Sequence, residues 1–258
     1  MALGFAGCGT VQIVKKTTSD VPSAGLFPHG RLGLVLDKVV SPEGLVDYAA
    51  LQLQEGLLEE YLAELARVSP ESHAHLFPTE DDRLAYWINA ENACALRDVL
   101  RWQRPDHLTP IAHRFDAETY FIVGGKKLSL NDMTNLMRRR FADPRIHFVL
   151  VRGRRGGPPL AKEPFDAATL QLRLGRAAHA FVQDERFVEW KPPSTGVRLN
   201  NVFFDFRSDF EAEMPSTVSG DARLITAINH WRDPASKLVA SRAVPISFDD
   251  RLNDVANK

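Results

Sequence analysis

The sequence predicts an α+β fold: one domain in which several helices pack on a small, mostly antiparallel sheet. Three observations carry that expectation. Residues 79–102 and 129–141 each open on a capping box and continue with apolar side chains at helical spacing. Gly124-Gly125 joins two β-prone runs, the pattern of a hairpin with a primed turn. Residues 145–151 are apolar on both alternating faces, as in a strand at the centre of a sheet.

The chain has 258 residues, 44% of them apolar and 25% charged, which is enough apolar material for a sizeable core and argues against disorder. A net charge of -1 creates no global field toward nucleic acid or anionic lipid. No apolar run reaches the length that spans a bilayer. Cys8 and Cys94 are too few for a disulfide scaffold or a four-thiolate zinc site. The histidines are scattered, with no carboxylate-flanked His-x-x-x-His pair. The expectation is no metal and no cofactor.

Residues 1–30 read as an N-terminal segment and linker, and 31–258 as the domain. Phe5-Ala6-Gly7-Cys8-Gly9 resembles the end of a bacterial lipoprotein signal, although the basic start and long apolar stretch are missing. Cys8 is then a lipidation site, and residues 10–30 its aperiodic spacer. This places the protein in the cell envelope, touching the membrane only through that anchor. The alternative is a frayed terminus with a free thiol on a cytoplasmic protein.

Apolar residues from Leu45 to Leu65 recur at helical spacing, and Ser69-Pro70 ends that helix. Thr79 and Asp82 cap the next, which runs to about Trp102 with Leu84, Ile88, Leu96 and Val99 on its apolar stripe. Asn92 falls on the same stripe, so its amide needs partners. The hairpin pairs 119–123 with 126–130. Ser129 and Asp132 cap a helix whose last turn carries Arg138, Arg139 and Arg140, where cations are favoured. Asp143-Pro144 then opens the central strand, with His147 on its second face. Arg152 to Pro159 is a basic, glycine-rich loop. Asp166 caps a helix presenting Leu170, Leu174 and Phe181 inward. A short strand at Val197–Leu199, an Asn200 cap for the Phe203–Phe206 segment, a helix through Leu224 and Trp231, and a last strand at Val244–Phe248 complete the chain.

Several segments, in order, resemble the domain-of-unknown-function 547 family. They are Val46-Asp47-Tyr48, Ala85-Tyr86-Trp87-Ile88-Asn89-Ala90-Glu91-Asn92-Ala93, the glycine hairpin leading into Leu128-Ser129-Leu130, Asp143-Pro144-Arg145-Ile146-His147-Phe148, Pro158-Pro159-Leu160, the aromatic stretch containing Asp209-Phe210, and Ile246 to Asn253. Together they span roughly residues 40–255, and an ordered set is far more specific than one motif. The resemblance implies a tyrosine where Glu91 stands, and cysteines in the segment that is here Arg152-Gly153-Arg154-Arg155-Gly156-Gly157-Pro158.

The candidate site centres on His147 and Cys94. A cysteine on a helix facing a histidine on a strand is the arrangement of papain-like and transglutaminase-like enzymes, where the imidazole activates the thiol. Cys94 lies more than two turns after the helix start, which withholds the helix N-terminus from it. Asn89 and Asn92 read as residues that fix backbone or the histidine tautomer. Arg145, Arg152 and Arg154 are candidate anion-binding groups, because guanidinium groups on glycine-rich backbone suit phosphate or carboxylate. The leading functional reading is a ligand-binding or scaffold protein with a degenerate pocket centred on His147, its partner a small anionic ligand or a protein. The alternatives are a hydrolase or transferase with His147 as base, and a protein-interaction module.

Overall fold

The computed structural model describes residues 25–257 and is α+β, with helices forming most of the ordered chain. Cys8 and the linker as far as residue 24 lie outside the described residues. The end of that linker is already part of the core. Phe27 is buried, stacked on Phe77 at 5.7 Å between ring centroids and edge-on to Tyr86. Helix α1 (Gly30–Val39), which the sequence did not announce, then turns Leu32, Val35, Leu36 and Val39 inward.

The helix expected over 45–65 is two helices, α2 (Tyr48–Leu53) and α3 (Glu55–Arg67), with Gln54 closing one and opening the other. Helix α4 (Glu80–Arg101) starts at the capping box, with both Thr79–Asp82 bonds formed. Every residue from Leu84 to Leu96 on α4 is buried. A helix enclosed on all sides is the hub of a core, not the one-faced element its stripe suggested.

The glycine hairpin forms as expected: β1 (Phe121–Val123) runs antiparallel to β2 (Lys126–Leu128). Gly124 has φ +56, and a Cβ there would stand 2.3 Å from the Ser69 hydroxyl, so the turn needs glycine for both conformation and space. Helix α5 (Leu130–Phe141) follows from its Ser129–Asp132 capping box.

The expected central strand over 145–151 is not a strand. Residues Pro144–Phe148 form a 3-10 helix and the chain after it is irregular. Pro144 sits at the first helical position with its fixed φ, and Asp143 accepts a hydrogen bond from the Arg145 backbone N–H at 2.9 Å. The run is apolar on every side because it lies between two cores, with Ile146 in the first and Phe148 in the second. Continuous burial imitates the two-faced pattern of a central strand.

Helix α6 (Leu170–Gln183) spans both cores, giving Leu170 and Leu174 to the first and Ala178, Phe181 and Val182 to the second. Asp166 holds the turn ahead of it, accepting from the Thr169 N–H at 3.0 Å. The second core is closed by a three-stranded sheet: β3 (Val188–Glu189), β4 (Gly196–Leu199) and β5 (Arg242–Pro245). β3 pairs antiparallel and β5 parallel with β4. The strands therefore divide into two small sheets, with the helices as the main body. Short helices α7 (Val202–Asp205) and α8 (Arg207–Glu211) and helix α9 (Asp221–Asn229) pack Phe203, Phe210, Leu224 and Ile228 into the same core.

Candidate functional site

His147 lies on the 3-10 turn between the two cores, and its side chain is 2% exposed. Its Nε2 is 2.8 Å from Asp209 Oδ2. Asp209, on α8, also receives Nε and Nη2 of Arg138 at 2.5 and 2.7 Å, a two-pronged contact from α5. Burial works to raise the Asp209 carboxyl, but the bonds from Arg138 and His147 outweigh it and hold the carboxyl far below the usual carboxylate range. An ionised carboxylate only accepts, so Nε2 carries the proton and donates. Burial also holds the His147 imidazole below its ordinary value against the pull of Asp209, so the ring is neutral near pH 7. Nδ1 is then left as an acceptor, and it makes no hydrogen bond among the described residues. The ring is stacked on Phe206, with centroids 3.9 Å apart and planes at 13°.

A second set of charges runs beside it. Glu91 on α4 is fully buried and meets Arg152 Nη2 at 2.9 Å. Thr134 of α5 donates its hydroxyl to both Glu91 oxygens at 2.9 Å. Arg152 places Nη1 against Asn131 at 2.7 Å and 3.0 Å from Asp116. Asp116, on a π-helical turn over Arg114–Glu118, also binds Arg154 Nη2 at 3.1 Å. Burial raises the Glu91 carboxyl against the pull of Arg152 and Thr134. Burial likewise opposes the charge of Arg152, and Glu91 with Asp116 more than restores it. Gly153 lets the loop carrying both arginines press on α4: its φ is +69, and a Cβ would stand 2.9 Å from Val99 Cγ2.

These two systems meet at a cavity of about 300 Å³. His147, Asp116, Arg152 and Arg154 line it, with Asn201, Asp205 and apolar surface from Leu150, Phe206 and Phe248 completing the wall. That size and mixture suit a small molecule held by a few polar groups. Among the described residues no group of three or more His, Cys, Asp or Glu side chains is placed to hold a metal ion.

The remaining residues singled out in the sequence stand elsewhere. Asn92 does not pair with His147. It clamps backbone, donating to the Val149 carbonyl at 3.0 Å and accepting from the Val151 N–H at 2.8 Å. Asn89 does the same to Phe165, with both bonds at 2.8 Å. Each amide imitates a strand neighbour for an irregular segment that has none. Cys94 is a fully buried free thiol that burial pushes well above its ordinary pKa, with Glu91 and Asp98 adding to the rise. It makes no hydrogen bond to His147 and does not line the cavity, so the thiol–imidazole arrangement of papain-like enzymes is not formed between them. Arg145 is engaged by Asp143 and Gln171, away from the cavity. Sequence reasoning missed Asp209, Arg138, Glu91 and Asp116 as site residues. The Asp209-Phe210 motif was the one signal available for the first.

A family model described as "Protein of unknown function, DUF547" matches residues 77–182. The match runs from just before α4 to the end of α6 and includes Glu91, His147 and Arg152. No curated protein matches the chain, and no solved structure does.

Proposed function

We propose, for a chain whose residues 77–182 are a DUF547 segment, that the cavity at His147 binds a small ligand bearing a carboxylate or phosphate group. One observation carries this reading. Arg154 lines the cavity with Nε and Nη1 unbonded to protein among the described residues, beside a neutral His147 whose Nδ1 is a free acceptor. Arg154 meets the anionic group, and Nδ1 accepts from a hydroxyl or N–H on the ligand. Arg152 holds the wall: all its nitrogens are engaged by Glu91, Asn131 and Thr134. A thermal-shift series with inorganic phosphate and small carboxylates tests it, with His147→Ala and Arg154→Ala as controls. Stabilisation of the wild type that both variants lose supports the reading. A flat response across the series removes it.

A second reading is favoured by the Asp209–His147 pair, which has the form of a buttressed general base. The hydroxyl of Thr134 is tied to Glu91, so in that reading His147 acts on water or on the ligand itself. Placement in the cell envelope through Cys8 rests on residues 5–9 and the spacer after them. Fatty-acid labelling of the full chain, lost in Cys8→Ala, tests that assignment.

A further inference from the structure

The cavity wall can be sorted by which polar groups the protein already satisfies. Arg152 and Asp116 are ion-paired with each other and with Glu91 and Arg154, and Asp116 Oδ1, which makes no hydrogen bond, is buried out of a ligand's reach. Thr134 is spent on Glu91. Asn200 donates to the Gly156 carbonyl at 2.8 Å and accepts from the Val202 N–H at 3.1 Å. What remains for a ligand is Nδ1 of His147, two nitrogens of Arg154, the side-chain amide of Asn201 and the carboxylate of Asp205. The Asp205 side chain makes no hydrogen bond or ion pair among the described residues; the residue is exposed, and the partial burial of its carboxyl raises it from its ordinary value.

The charges decide what this set fits. Glu91, Arg152, Asp116 and Arg154 form an alternating run whose two positive and two negative members cancel. Asp205 adds a negative charge with no side-chain partner among the described residues. A ligand carrying only an anion meets Arg154 but is repelled by Asp205. A ligand carrying only a cation meets Asp205 but leaves the free guanidinium nitrogens of Arg154 unused. A molecule with both satisfies both.

We infer that the ligand is a small zwitterion, with its carboxylate or phosphate on Arg154 and an ammonium group on Asp205. This deepens the anion-binding reading and rests on it. The probes are matched pairs that differ by one amino group: glycine and acetate, β-alanine and propionate, γ-aminobutyrate and butyrate, O-phosphoethanolamine and ethyl phosphate. The pairs separate chain length and the carboxylate and phosphate forms of the anion. Calorimetric titration of the full chain is expected to show at least one amino member binding about tenfold or more tighter than its partner, the worth of one charge-assisted contact.

Asp205→Asn is expected to weaken the amino member and to strengthen the one without it, because the repulsion is lifted. Unchanged circular dichroism checks that the variant folds. If the members of every pair bind the wild type equally, the zwitterion assignment is wrong while the anion site stands. If the preference survives in Asp205→Asn, Asp205 is not the ammonium site and the inference is overturned. If no member of any pair binds, both readings fall together.

Discussion

Glu91 and Arg152 meet in the interior at 2.9 Å although 61 residues separate them in the chain. They also stand at the two places where the sequence departs from the pattern it resembles. That resemblance implies a tyrosine at the position of Glu91 and a cysteine-bearing segment where Arg152 opens the loop. The two departures are one structural feature. A carboxylate buried in the hub helix is tolerated because a guanidinium from the loop neutralises it, and the loop arginine is fixed because that carboxylate is there.

Removing one partner should therefore cost more than removing both. Arg152→Met leaves a buried, unpaired Glu91 and is expected to lower stability by about 3–5 kcal/mol. Adding Glu91→Gln to that variant should return a good part of the loss. Equilibrium denaturation of the two single variants and the double variant measures the coupling. Additive losses would show that the pair contributes nothing as a pair.

Stability should fall on the acid side of neutrality. Burial holds His147 below its ordinary 6.5, and it holds His29 at about 4 against the pull of Asp166 and Asp82. For a histidine with a depressed folded pKa, the contribution is complete above 6.5. It is lost as pH falls below that value, because the unfolded chain takes up the proton first. Asp209 adds a loss in the same direction further down, below about 3.9 where unfolded aspartate begins to protonate. Denaturation at a series of pH values should give a slope between 6.5 and 5 that is shallower in His147→Gln and in His29→Gln, by up to about 1.4 kcal/mol per pH unit for each. A wild-type slope in both variants would contradict the assignment.

Cys94 should be inert in the folded protein. Its buried, raised thiol predicts no reaction with a thiol reagent until denaturant opens the core. Cys94→Ala should leave ligand binding in the cavity intact. Mass spectrometry after brief native labelling checks the first point, and rapid modification of Cys94 would revive the thiol reading.

The amide clamps should matter for stability in proportion to the backbone they satisfy. Asn92→Ala strands the Val149 carbonyl and the Val151 N–H inside the core, and about 2–4 kcal/mol should be lost. Asn92→Asp keeps an acceptor for the Val151 N–H but sets a carboxylate oxygen against the Val149 carbonyl and buries an unpaired charge. Chemical denaturation near neutral pH should therefore place the aspartate variant no higher than the alanine variant.

Legibility in the sequence followed the range of the interactions. Helices α4 and α5 and the hairpin were readable because their signals lie within four residues: Thr79 to Asp82, Ser129 to Asp132, and the glycine pair. Burial of His147 was readable from its neighbours, yet its backbone form was not. Ile146 and Phe148 are apolar for two different cores, and no local pattern separates that from a strand. The need of Asn92 for partners was legible from its apolar stripe, but those partners are backbone groups 57 and 59 residues away. Arg138 carried a local reason for its place at a helix end, which hid its grip on Asp209, 71 residues on.

The 3-10 turn over Pro144–Phe148 fixes where the imidazole can be. Residues on either side of His147 are seated in separate cores, the ring lies flat on Phe206, and Asp209 pins its far nitrogen. The ring cannot slide without unseating one of them. The imidazole is thus held in the cavity wall at little cost in lost motion, so a ligand that docks there spends its affinity on contact instead of on assembling the site.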